Sequence, residues 1–246
     1  MAATSIQDER QELADARRRW GEQADPAAVA RWFAGNAEVE YLAGCYGAAL
    51  KDAGYARRVA HDLATTARSL RVIGCVQLER GQTAAAVRSL EESLQAAETG
   101  LAAADLAFAL AESGSLQGAI ETARRVSDEP SGWARGRKTR ALLRAGELAS
   151  PPGGESGEGF GWIQLGLAAA ETSSAAGEPA LALEQAEALI DRLRQAGVRA
   201  QLGDALLVRV RALGDLGRRA QQAAVAQEVR ELALSLGSGR LLALLG

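Results

Sequence analysis

QLERGQTAAAVRSLEESLQAA, residues 77–97, decides the architecture. One glycine, Gly81, separates two stretches of helix-forming residues. Ala86, Leu90 and Ser93 follow it by five, nine and twelve positions. Steps of four and three put those side chains on one helix face. Upstream, Gly74 and Leu70 stand seven and eleven positions before it. Glycine at the turn supplies the left-handed backbone that ends a helix. The segment reads as helix, turn, helix, with small side chains where the helices approach.

The same surroundings recur at Gly44, Gly114, Gly177 and Gly217. Ala49, Ala119 and Ala182 stand five residues after the first three. Ala53, Ala123, Ala186 and Ala226 stand nine after, and Ala56, Val126, Leu189 and Val229 twelve after. Ala37, Ala107, Ala170 and Val210 stand seven before; Phe33, Ala103, Gly166 and Leu206 stand eleven before. A repeated helical hairpin is the unit. The glycine spacings are 37, 33, 63 and 40. The long one leaves room for a unit around Gly146, but Arg135 and Pro151 fall where small residues are expected. Residues 131–162 are therefore a degenerate or interrupted unit.

The pattern predicts helix pairs over 27–42 and 46–60, 66–79 and 83–98, and 101–112 and 116–126. A single helix follows over 132–149, then the glycine-rich stretch 150–159. Two more pairs cover 161–175 with 179–195 and 199–215 with 219–236, before a short closing helix. Stacked hairpins alternate in direction, so an unpaired helix reverses the order. The stretch 150–159 spans about 33 Å extended, enough to run back along a helix of about 27 Å. Either the chain crosses over or the superhelix shifts there, with the stretch partly disordered, or a short irregular helix completes the unit. A polar helix over 5–22 carries Ile6, Leu13 and Trp20 on one stripe, which either caps the first repeat or pairs two copies.

Composition agrees. Of 246 residues 54 are Ala and 33 Leu, while strand formers are scarce, so the class is all-α. The net charge of −3 argues against a general nucleic-acid binder. The 26 Arg against 2 Lys fit a GC-rich coding bias. Cys45 and Cys75 cannot form a disulfide framework. The opening MAATSIQDERQ lacks the apolar region of a signal peptide. No apolar run reaches the ~18 residues that span a membrane. A cytoplasmic protein is expected.

YLAGCYGAALKDAGYARRVA, 41–60, and residues 77–97 resemble the turn and second helix of a tetratricopeptide repeat. Leu70, Ile73, Gly74, Gly81, Ala86 and Leu90 carry that likeness. From Leu165 to Leu245, SAAGEPALALEQAEALIDRLRQAG and RALGDLGRRAQQAAVAQEVRELALSLGSGRLLALL resemble the helical arrays of large bacterial regulators and signalling ATPases. The likeness covers 27–126 and 161–240; Gln77 and Gln222 depart from it. It implies a TPR-like α-solenoid: a right-handed superhelix of stacked antiparallel hairpins. The expected blocks are a capping or dimerising helix at 1–25, repeats at 26–127, a degenerate unit and loop at 128–160, and repeats with a cap at 161–246.

Catalytic readings find little support. His61 is the one histidine, and no GxxxxGK[ST], HExxH or DDxxD sequence is present. Glu91-Glu92 and Asp128-Glu129 are adjacent acids that do not face one site. GESGEGFGW, 154–162, follows no strand and so is not a phosphate cradle. The expectation is no enzyme, no cofactor and no metal.

First helices of such a stack line a concave groove. Its open faces are predicted to carry Arg31, Glu38 and Tyr41, then Arg68, Arg71 and Cys75, then Phe108 and Glu112. Gln164, Glu171, Asp204 and Arg211 continue the series. Arg31, Arg68 and Arg71 suit a carboxylate or acidic segment, and Tyr41 and Phe108 offer aromatic anchors. The resemblance implies a peptide or partner helix as ligand. The reading is a non-catalytic scaffold for protein–protein interaction, an adaptor in a bacterial regulatory or signalling system. The alternative is an effector-sensing or oligomerisation module, with a homodimer as one form.

Overall fold

The structure is a computed structural model and describes residues 5–18, 25–126, 131–147 and 159–246. These residues are all-helical, with thirteen helices and no strand. Helix α1 is Ile6–Arg18. Three hairpins follow: α2 Pro26–Leu42 with α3 Tyr46–Val59, α4 Leu63–Glu79 with α5 Thr83–Ala96, and α6 Gly100–Glu112 with α7 Leu116–Arg125. Helix α8, Gly132–Arg144, has no hairpin partner among the described residues. Two further hairpins are α9 Gly161–Ala175 with α10 Pro179–Ala196, and α11 Leu202–Asp215 with α12 Arg219–Leu236. Helix α13 is Gly239–Leu245.

Local chemistry sets the boundaries. Asp25 accepts from Ala27 N at 3.1 Å and precedes Pro26 in the first turn of α2. Asp62 caps α4 by accepting from Thr65 N at 2.6 Å. The repeated turn glycines all lie in the left-handed region, from φ 71° at Gly217 to 83° at Gly114. At each, the next amide reaches back across the turn: Cys45 N donates to Glu40 O at 2.8 Å, and Gln82 N to Gln77 O at 2.9 Å.

The small residues do what their spacing implied. Ala49, Ala86, Ala119 and Ala182 are wholly buried, as are Ala53, Ala123 and Ala186. The last hairpin shifts its face: Val225 and Val229 are buried, and Ala226 is only partly so.

The interrupted unit keeps its first helix and its turn. Gly146 takes φ 81°, and Glu147 N donates to Leu142 O at 3.0 Å, as at the other turns. Helix α9 then packs directly on α8. Arg140 meets Gln164 near the start of α9, and Arg144 meets Glu171 near its end, so the two helices run parallel. A Cβ at Gly136 would overlap the Gln164 carbonyl; only glycine allows that approach. The predicted stretch 150–159 lies outside the described residues except for Gly159.

Helix α1 packs on α2. Ile6 is buried in the main core, and Leu13 packs against it, so both are used within the chain. Trp20 lies outside the described residues.

The two ends of the array meet. Arg199 N and Ala200 N both donate to Leu42 O, at 2.9 and 3.1 Å. Gln201 Nε2 donates to Tyr41 Oη at 3.0 Å. Ser238 Oγ donates to Glu79 O at 3.0 Å, and α13 packs against α4. One core consequently contains Tyr41 and Val72 together with Leu206 and Leu241. Among the described residues no helix is long and apolar enough to cross a membrane.

Candidate functional site

Inside the closed array the first helices face one another with charged side chains. Arg71 links Glu38 on α2 to Asp105 on α6. Arg137 Nε donates to Asp105 at 2.9 Å. Arg140 donates to Glu171 at 3.1 and 3.0 Å, to Gln164 at 2.8 Å and to Asp204 at 2.8 Å. Arg144 pairs with Glu112 and, at 3.3 Å, with Glu171. Arg240 donates twice to Glu79, at 3.1 Å, and to Asp204 at 2.7 Å. Three guanidiniums lie over the Phe108 ring, their carbons 4.0, 4.7 and 5.2 Å from its centroid. Arginine suits this interior because its planar fork donates to two carboxylates at once and stacks on an aromatic face.

Electrostatics follow from that pairing. Burial works against the charge of Asp204, but the Arg240, Arg140 and Arg144 guanidiniums outweigh it and hold the carboxyl below the usual range. Asp105, Glu171 and Glu38 show the same balance beside their own arginines. Glu79 goes the other way: burial lifts its carboxyl despite Arg240. Burial also raises the Cys75 thiol, which disfavours a nucleophilic thiolate.

Among the described residues the array leaves open a cavity of about 650 Å³. Its walls come from α1, α2 and α4, with the starts of α6, α8 and α9. Leu13, Val39, Val72, Leu101, Trp133 and Phe160 give an apolar lining. Glu9, Arg31, Glu38, Arg68 and Arg71 add charge. Gly35 sits beneath the rim, where a Cβ would touch Leu13 and the Arg68 guanidinium at 3.7 Å. Glu38 receives both Arg68 and Arg71. Arg31 makes no hydrogen bond among the described residues and approaches Asp25 only to 3.8 Å. Glu9 has no ion pair there; burial and the nearby carboxylates of Glu12, Asp8 and Glu38 lift its carboxyl above the usual range.

Six of the eight predicted groove residues line this cavity: Arg31, Glu38, Tyr41, Arg68, Arg71 and Cys75. Their exposure differs. Arg31 and Arg68 keep 58% and 46% of their side chains exposed, whereas Tyr41 and Cys75 are buried. Phe108 and Glu112 depart from the expectation. Phe108 is fully buried under three arginines, and Glu112 is held by Arg144. Gln164, Glu171 and Asp204 are likewise buried in the network.

Sequence reasoning did not assign Glu9, Leu13, Trp133 or Phe160 to this wall, nor Arg137, Arg140, Arg144 and Arg240 to the interior. Arg137, Arg140 and Arg144 repeat at three and four, the spacing of one helix face, and that stripe was the available signal. Among the described residues no group of His, Cys, Asp and Glu is placed to hold a metal ion. No protein-family model and no characterised protein matches the chain.

Proposed function

We propose that the chain is a non-catalytic, TPR-like right-handed superhelix that acts as a ligand-sensing module, and that its binding site is the cavity between α1, α2 and α4. The observation that carries this reading is the closure of the array. An adaptor gripping an extended segment needs its inner faces free along the whole stack. Here Glu112, Gln164, Glu171 and Asp204 are engaged with arginines, and α13 is docked on α4. A cavity of about 650 Å³ remains, the size of a small-molecule site. The resemblance of residues 165–245 to regulator arrays supports a sensing role, in which occupancy stabilises the closed form and a flanking partner reads it.

Gly35 provides the test. Leucine there fills the cavity beneath Arg68 and Leu13. A thermal-shift screen of cell metabolites on the wild-type chain should find a ligand class that raises Tm. At a hundredfold excess over Kd the gain is about 2.7 kcal/mol, or about 5–10 °C for a chain of this size. Gly35→Leu should lose that gain. No stabilisation by any class, or equal stabilisation of both proteins, contradicts the assignment.

A further inference from the structure

We infer that the cavity takes a small zwitterion with an apolar body: an aromatic α-amino acid, or a short apolar peptide with both ends free. This rests on the reading of the cavity as the binding site. Five charged side chains line the wall, and they are not equally engaged. Glu38 is occupied by two arginines, and Arg71 is held between Glu38 and Asp105. Arg68 gives Nη2 to Glu38, and its other nitrogens have no hydrogen bond among the described residues. Arg31 makes no side-chain hydrogen bond there, its guanidinium lying 3.8 Å from the exposed Asp25 carboxylate, and the Glu9 side chain has neither a hydrogen bond nor an ion pair among the described residues. The wall thus keeps donors open on Arg31 and Arg68 and an acceptor open on Glu9.

A purely anionic ligand would face Glu9; a purely cationic one would face the two arginines. A molecule carrying both charges satisfies both sets. Its carboxylate accepts from the guanidiniums and its ammonium donates to Glu9. Its apolar body replaces water against Val39, Val72, Trp133 and Phe160. Arg31 and Arg68 stand on successive first helices, α2 and α4, and Glu9 stands on α1. The zwitterion would therefore tie three helices together.

Calorimetric titration with L-phenylalanine and with the dipeptide Phe-Leu, each also N-acetylated or C-amidated, tests the inference. At least one uncapped compound should bind about tenfold or more tightly than either of its capped forms. Which of the two binds tells the free amino acid from the peptide. Glu9→Gln should abolish the penalty of acetylation, and Arg31→Gln should reduce that of amidation. Both residues sit at the surface of the cavity, and circular dichroism would verify that each variant is folded. Equal binding of capped and uncapped forms overturns the zwitterion while leaving the cavity standing. Absence of binding by both compounds overturns it too, and the metabolite screen with Gly35→Leu then judges the cavity separately. Binding that survives Gly35→Leu overturns the cavity itself.

Discussion

Asp204 holds Arg140 at 2.8 Å and Arg240 at 2.7 Å in a place almost closed to solvent. Removing one partner of such a buried pair leaves charge without compensation, which costs about 3–5 kcal/mol. Asp204→Asn should lower stability by that amount in urea denaturation; a loss well under 1 kcal/mol would show that the network carries little. Acid acts on the same groups. Glu38, Asp105, Glu171 and Asp204 are held below their ordinary values, so their contribution is complete above an unfolded-chain value of about 4. It is lost as pH falls through the depressed values. Glu79, held above its ordinary value, contributes in the opposite sense as pH rises through that value. The depressed carboxylates outnumber the two raised ones, Glu79 and Glu9, so urea midpoints should decline steadily below pH 4, and a rise from pH 4 to pH 3 would contradict this. The excess of Arg over Lys gains a physical component here. A coding bias supplies arginines, and Arg140 and Arg240 are buried where each serves two carboxylates, which a lysine ammonium could not do in a plane. The stripe of Arg137, Arg140 and Arg144 is present in the sequence. Burial is ordinarily read from apolar residues, so a basic face at core spacing looks like a solvated one.

At the scale of the element, turn chemistry was the most legible feature. Glycine in the left-handed region and alanine five residues later are local requirements, and local requirements appear in sequence. Gly74 is a further case, since a Cβ there would come within 2.6 Å of Leu90. The interruption after α8 was legible as a break but not as an arrangement. The parallel contact of α8 and α9 depends on Gly136, whose only sequence mark is a missing side chain among many small ones. Gly136→Ala drives a methyl group into the Gln164 carbonyl and must part the helices. Overpacking of that kind costs about 1–3 kcal/mol. Calorimetry should show a Tm lower by at least several degrees, since each kcal/mol moves a chain of this size by about 2–4 °C. An unchanged Tm would mean the two helices are not in backbone contact.

The whole molecule departs furthest from the expectation drawn from single hairpins. Each hairpin could be read alone, but closure joins residues about 160 positions apart: Tyr41 with Gln201, and Glu79 with Ser238 and Arg240. Ordinary turn and helix-end residues make those contacts, so no local motif announces them. Closure also engages the inner faces of the stack, since Arg240 on α13 pairs with Glu79 and Asp204 and comes within 3.9 Å of Glu112. Dipolar spectroscopy can measure it. Spin labels placed by Arg80→Cys and Leu242→Cys, in a chain carrying Cys45→Ser, mark the end of α4 and the exposed side of α13. Gly239 packs on the Arg80 carbonyl, where a Cβ would stand 2.6 Å from the oxygen. With Leu242 three residues further along α13, the labels should lie within about 20 Å of each other. An open stack would part them by four to five helix spacings, about 40 Å, and a distribution centred there would contradict the closed array on which the sensing reading rests.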